Sequence, residues 1–208
     1  MTAGQAADLS AAVRAARGGN DEAFRVLYRE VQPGLLRYLR GLVGEDAEDL
    51  ASETWLQIAR DIRSFRDEGA GFRAWAVTIA RHRALDHVRR TQRRPATGLP
   101  ADLLVDLPDG RDTAEQAIRS TSTTATIALI ATLPRDQAEA VLLRVVVGLD
   151  AQATARVMGK RPGAVRTAAW RGLRTLADRL AQADAGQATE PGVPGVTNSG
   201  HSTPRKAR

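Results

Sequence analysis

Residues 72–94 read FRAWAVTIARHRALDHVRRTQRR. Phe72, Trp75, Ala76, Ile79 and Ala80 recur at three- and four-residue steps, which places them on one face of an α-helix. Arg73, Arg81, Arg83, Arg89, Arg90, Arg93 and Arg94 stand against Asp86 alone and fall mainly on the other faces and beyond the end. With His82 and His87 neutral the stretch carries +6, which is the net charge of the whole 208-residue chain. It is predicted to be a helix whose apolar side, with Trp75 and Ile79, joins a core, and whose basic side meets an anion.

The segments before it share this helical texture. SFRDEGAG (64–71) is a short glycine-bearing loop at its entrance. Ahead of that, DAEDLASETWLQIARDI (46–62) opens with acids, which suits the positive end of a helix dipole, and sets Ala47, Leu50, Ala51, Thr54, Ile58 and Ile62 on one face. Its opposite face carries Asp46, Asp49, Glu53, Gln57 and Arg60; by pattern alone such a face reads first as solvated surface. Further upstream, a short helix from Leu9 to Arg17 should end at Gly18 and Gly19, with a restart at Asn20 and Asp21. Phe24, Leu27, Tyr28 and Val31 then form an apolar stripe; Pro33 and Gly34 are expected to interrupt it, and Leu35, Leu36, Leu39 and Leu42 resume it until Gly44.

After Arg94 the texture changes. Pro95, Gly98, Pro100, Pro108 and Gly110 break regularity, and Asp102, Asp106, Asp109 and Asp112 make the stretch acidic, as in an interdomain linker. A second helical block starts near Thr113 and breaks at Pro134, which is placed in the first turn of the next helix. That helix should bury Ala138, Val141, Leu142, Val145 and Leu149. In AQATARVMGKRPGAVRTAAW (151–170), Ala155, Gly159 and Val165 fit a helix-turn-helix. Alanine lets two helices approach, glycine permits the positive φ of the turn, and valine anchors the second helix, which Pro162 starts. The competing reading of the same spacing is an ordinary helical hairpin. The tail from Asp184 is rich in Gly, Pro, Ser and Thr and is expected to be disordered, with Arg205, Lys206 and Arg208 at its end.

These segments sum to an all-α chain of two small helical domains joined by a flexible linker. The expected division is 1–8 disordered, 9–95 first domain, 96–118 linker, 119–183 second domain and 184–208 tail. No run alternates apolar and polar residues long enough for a strand. A sequence pI near 10.8 points to a polyanionic partner. No apolar run approaches a spanning length, so nucleic acid is preferred to a membrane. The N-terminus has neither the basic region nor the apolar run of a signal peptide, so a cytoplasmic location is expected. The chain has no cysteine, which excludes disulfides, thiolate zinc sites and thiol redox chemistry. His82 and His87 are five apart and do not share a helix face as a metal pair would, and no HExxH motif or phosphate-cradling loop is present. No cofactor, no metal and no catalysis are expected.

Taken in order, EAFRVLYREVQPGLLRYLRGLVG, the acidic helix, FRAWAVTIARHRALDHVRR, and LPRDQAEAVLLRVVVGL running into the helix-turn-helix resemble an extracytoplasmic-function sigma factor of the sigma-70 family. The resemblance spans about Leu9 to Leu180. It implies that the first domain is sigma region 2 and the second sigma region 4, with core RNA polymerase and promoter DNA as partners. It assigns Asp46, Asp49, Glu53 and Leu56 to docking on the polymerase clamp, with Ser52 where glutamine is usual. It makes residues 64–71 the specificity loop that receives a base flipped from the melted minus 10 strand, with Phe65, Arg66 and Asp67 as the contacting side chains. On the following helix, Arg81, Arg83, Arg89 and Arg90 would hold phosphate, His82 stands where asparagine is common, and Asp86 would pair a neighbouring arginine. Arg161, Arg166, Thr167, Trp170, Arg171 and Arg174 would face the minus 35 duplex, with Ala168 where many members have arginine. For the linker aspartates two readings stand: mimicry of RNA phosphates, or solubility alone. Family members are often held inactive by an anti-sigma protein clamped over both domains, so such a protein is an implied partner. The rival reading is a stand-alone helix-turn-helix regulator, which would have no use for an acidic docking helix in front of a loop and a basic helix.

Overall fold

The computed structural model describes residues 3–66, 70–93 and 114–187, and every regular element among them is helical. An amino-terminal unit comprises α1 (Ala3–Arg17), α2 (Asp21–Val43), α3 (Ala47–Asp61) and α4 (Ala70–Arg93). A carboxy-terminal unit comprises α5 (Ala114–Ala131), α6 (Arg135–Val141), α7 (Ala151–Met158) and α8 (Pro162–Gln187). Three boundaries differ from the sequence reading: α1 starts within 1–8, α5 starts within the expected linker, and α8 runs past 183. In all three, alanine and glutamine favour helix without supplying the apolar stripe that would announce one. The rest of the linker, with its four aspartates, and the tail beyond Gln187 lie outside the described residues.

In the amino-terminal unit the helix starts follow from local chemistry. Asn20 caps α2, its Oδ1 accepting from the Ala23 N–H at 2.9 Å, and Gly19 before it takes φ 90°. The expected interruption at Pro33 and Gly34 does not occur: α2 is one helix through both. Leu27, Val31, Leu35, Tyr38 and Leu39 stay in phase across the proline and are all buried. Their packing offsets a proline penalty of about 3 kcal/mol. α2 packs on α1, α3 and α4, and α1 also touches α4. Every residue assigned to the core face of the acidic helix is buried, and Trp55 joins them, its indole N–H donating to Gln32 at 2.6 Å.

The carboxy-terminal unit holds the expected helix-turn-helix. Asp150 caps α7 by accepting from the Ala153 N–H at 2.7 Å. Ala155 and Val165 are buried, and Gly159 adopts the left-handed conformation at φ 66°. Pro162 is the first residue of α8, whereas Pro134 lies one residue ahead of α6 as its N-cap. The buried stripe expected on the preceding helix is wrong at Val145, which is 58% exposed. Leu142–Val146 form a π-helical turn, and its extra residue per turn shifts the register, so that Leu143 and Val147 join the expected Leu142 and Leu149 in pointing inward.

The two units share one continuous apolar core. α2 meets α5 and the π-turn, and α4 meets α7. Within the carboxy-terminal unit, α8 lies so close to α6 that a Cβ on Gly172 would fall 2.8 Å from Val141 Cγ2 and 3.3 Å from the Gln137 carbonyl oxygen. Gly172→Ala is therefore expected to lower stability by about 1–3 kcal/mol, although alanine is the better helix former. Urea unfolding measures it; a stabilised variant would mean that α6 and α8 can part without cost.

Candidate nucleic-acid interface

α3 and α4 position three groups of polar side chains. On α3 and the turn before it, Asp46, Asp49, Glu53 and Leu56 are all exposed, Leu56 by 59%, on the side away from Leu50, Thr54 and Ile58. The acids are not simply solvated. Glu53 accepts from Arg83 at 2.6 Å, Arg83 also donates to Gln57 at 3.2 Å, and Asp46 lies 2.9 Å from His87 Nε2. The acidic face of α3 is thus joined to the basic helix by pairs that are partly solvent-exposed and so of modest energy.

At the entrance of α4, Phe65 is only 6% exposed. Its ring stands edge-on to Phe72 at 5.7 Å and lies 4.8 Å from Trp75. Phe65 is thus enclosed by two other aromatic side chains as part of the core. Arg66 is exposed, and Asp67 lies outside the described residues.

The basic side chains of α4 divide by surroundings. His82, Arg89 and Arg90 are exposed. Asp86 accepts from Arg89 at 3.2 Å, as expected of a carboxylate placed among arginines, and its carbonyl oxygen accepts from Arg90 Nε at 3.2 Å. Arg81 is different. Its Nε donates to Glu139 of α6 at 2.5 Å, and its Nη2 to the other carboxylate oxygen at 3.4 Å. The Tyr38 hydroxyl of α2 donates to the same carboxylate at 3.1 Å. The Glu139 side chain is 4% exposed. Burial, and next the adjacent carboxylate, push the Tyr38 phenol well above its usual range, so it remains a donor; the Glu139 hydrogen bond raises the Arg81 guanidinium.

Sequence reading did not single out Tyr38 or Glu139. The available signal was positional: Glu139 lies three and four residues before Leu142 and Leu143 and so shares their buried face.

On the helix-turn-helix, Arg161, Arg166, Thr167, Trp170, Arg171 and Arg174 are all exposed, around the amino-terminal half of α8. The Thr167 hydroxyl donates to the Gly163 carbonyl at 3.1 Å, and Arg174 lies 5.5 Å above the Trp170 ring. A helix start with backbone N–H groups and several exposed cations is an electropositive surface suited to anions. Among the described residues no cluster of three or more His, Asp or Glu could hold a metal, and no helix is long and apolar enough to cross a membrane.

Known families divide the chain in the same way. Residues 27–94 match sigma-70 region 2 and residues 124–176 match sigma-70 region 4. The ECF RNA polymerase sigma factor BldN of Streptomyces coelicolor is 38% identical over 172 residues, covering 81% of this chain and 64% of BldN. The ECF RNA polymerase sigma factor ShbA of Streptomyces griseus is 35% identical over 177 residues, covering 81% of this chain and 93% of ShbA. Among solved structures, the sigma factor RpoE of Bartonella quintana, in complex with the anti-sigma factor NepR, has the same fold. Its TM-score is 0.58 at 22% identity, over 76% of this chain and 96% of that one. A region 2 bundle with a basic helix, a region 4 helix-turn-helix and relatives matched over most of their length place this chain in the family of ECF RNA polymerase sigma factors.

Proposed function

We propose that the chain is a promoter-specificity subunit. It binds core RNA polymerase, reads a minus 35 element as duplex and a minus 10 element as melted strand, and catalyses no bond change itself. The observation that carries this is the pairing, in one chain, of an exposed acidic and leucine-bearing face on α3 with a basic α4 beside it and a cationic duplex reader on α8. A stand-alone regulator would use only the last of these, and family membership disfavours that reading.

Asp46, Asp49, Glu53 and Leu56 form the proposed polymerase face, with Leu56 as its desolvated anchor. Core polymerase binding there would compete with Arg83 and His87 for two of the acids, freeing both side chains to face DNA. Arg66 and Asp67 would contact the flipped base. Arg83, Arg89 and Arg90 would hold the phosphates that fix register without reading sequence. His82, exposed in place of the usual asparagine, is assigned to the same strand. On α8, Arg161, Arg171 and Arg174 are assigned to phosphate, and Arg166, Thr167 and Trp170 to base edges. An anti-sigma protein is included as an inhibitory partner on the strength of the family.

Run-off transcription with purified core polymerase tests the whole reading: a promoter-dependent transcript that needs both core and this chain supports it, and none refutes it. The double variant Asp49→Arg with Glu53→Arg is expected to abolish holoenzyme formation in size-exclusion chromatography; normal assembly would move the docking face elsewhere. Arg166→Ala is expected to cost about 1–3 kcal/mol of discrimination at one minus 35 base pair while leaving core binding intact. An unchanged ranking of promoter variants would shift base reading to another residue of α8.

A further inference from the structure

Arg66, proposed to contact the flipped base, follows a turn that cannot hold itself in place. Ile62–Ser64 form a single 3₁₀ turn, closed by the Phe65 N–H donating to the Ile62 carbonyl at 3.2 Å and by the Ser64 hydroxyl donating to the Asp61 carbonyl at 2.7 Å. A turn this short has poorer hydrogen-bond geometry than an α-helix and takes its position from what it packs against. The backbone becomes extended at Phe65, with φ −62° and ψ 127°, and Arg66 comes next as an exposed cation. Phe72 and Trp75 of α4 fix Phe65 from one side.

The second support is α1, which meets the 3₁₀ turn as well as α2 and α4. Leu9, Ala12, Val13 and Ala16 form one apolar face of α1 and are all buried, Val13 completely. The direction of α1 is set at its end. The Gly18 and Gly19 N–H groups donate to the Ala15 and Ala16 carbonyls at 3.0 Å each, and the Asn20 N–H donates to Ala15 at 3.1 Å. Gly19 at φ 90° makes the reversal possible, and Asn20 at once caps α2. The result is a helix laid back over the bundle. The region 2 match begins at Leu27, so α1 stands ahead of it, and α2, α3 and α4 already pack on one another. What α1 adds to them is a wall behind the turn that leads to Arg66.

We infer that α1 is a positioning element for minus 10 reading: its Leu9 and Val13 face holds the 3₁₀ turn in place and so sets where Arg66 stands. The inference rests on the proposed reading of Arg66 as a base contact. Leu9 and Val13 act through the turn, and Arg66 makes the contact.

Two readouts on the full chain test this, with Val13→Ala as the variant and Leu9→Ala, at the outer end of the same face, as the second should Val13→Ala not fold. The first is amide hydrogen exchange resolved by NMR. Exchange at Phe65 should quicken by roughly tenfold while Leu50 and Thr54 of α3 keep their wild-type rates, and the conservative Leu9→Met should leave Phe65 unchanged. Wild-type exchange at Phe65 in the alanine variants overturns the inference. Equal acceleration at Phe65, Leu50 and Thr54 also overturns it, because α1 would then support the bundle as a whole. The second readout is run-off transcription with core polymerase from templates carrying each of the four bases at the flipped position. The spread among them should narrow by about threefold to tenfold, the worth of one hydrogen bond, with core binding and the ranking of minus 35 variants unchanged. A wild-type spread, or loss of core binding in step with it, overturns the positioning role. A wild-type chain that gives no promoter-dependent transcript refutes the sigma-factor reading instead, and exchange at Phe65 still decides whether α1 holds the turn.

Discussion

α2 has to satisfy two packing surfaces at once, and much of the molecule follows from that. One surface, with Leu27, Val31, Leu35 and Leu39, makes the centre of the region 2 bundle. The other, with Gly34, Tyr38 and Gly41, meets region 4, and at Gly41 a Cβ would fall 2.6 Å from Leu142 Cδ1. A helix of this kind must run unbroken, because an interruption at Pro33 would put the two faces out of phase. Burial of Leu27, Val31 and Leu35 around the proline is what keeps it whole.

The second surface turns region 4 into a neighbour of region 2. Through α2 and the π-turn the two units share a core, and the carboxylate of Glu139 is trapped between them. A buried carboxylate is tolerable only when paired, and the partners supplied are a phenol and a guanidinium from separate helices. Fold and proposed function meet at this point, since the cation that neutralises Glu139 also belongs to the basic surface of α4. A second such overlap lies nearby. Two of the acids proposed to meet polymerase, Glu53 and Asp46, are paired with Arg83 and His87 of α4, so binding at one surface bears on the other.

Much of the architecture was legible in residue order. Helical periodicity marked the core faces of α3 and α4, glycine and proline marked the turn of the helix-turn-helix, and the exposed cations of α8 were identifiable from phase. What was not legible depended on tertiary context. Proline tolerance in α2 is decided by packing on either side of residue 33. The misplaced Val145 came from assuming 3.6 residues per turn through a segment that adopts a π-turn. Phe65 reads as a base contact from its loop position but is enclosed by Phe72 and Trp75. Glu139 is not legible in sequence because a core face is marked by its apolar residues, and its two partners lie 101 and 58 residues away.

Under the proposed function, promoter opening is the event that draws on the acidic face of α3, the basic α4 and the cationic α8 together. Permanganate footprinting of thymines in a cognate minus 10 element measures it directly. With core polymerase and this chain both present, thymines on the non-template strand should become reactive, and neither protein alone should produce the signal. Reactivity given by core polymerase without this chain, or protection of duplex DNA by the chain with no melted thymines in the presence of core, would contradict a role in forming the open promoter.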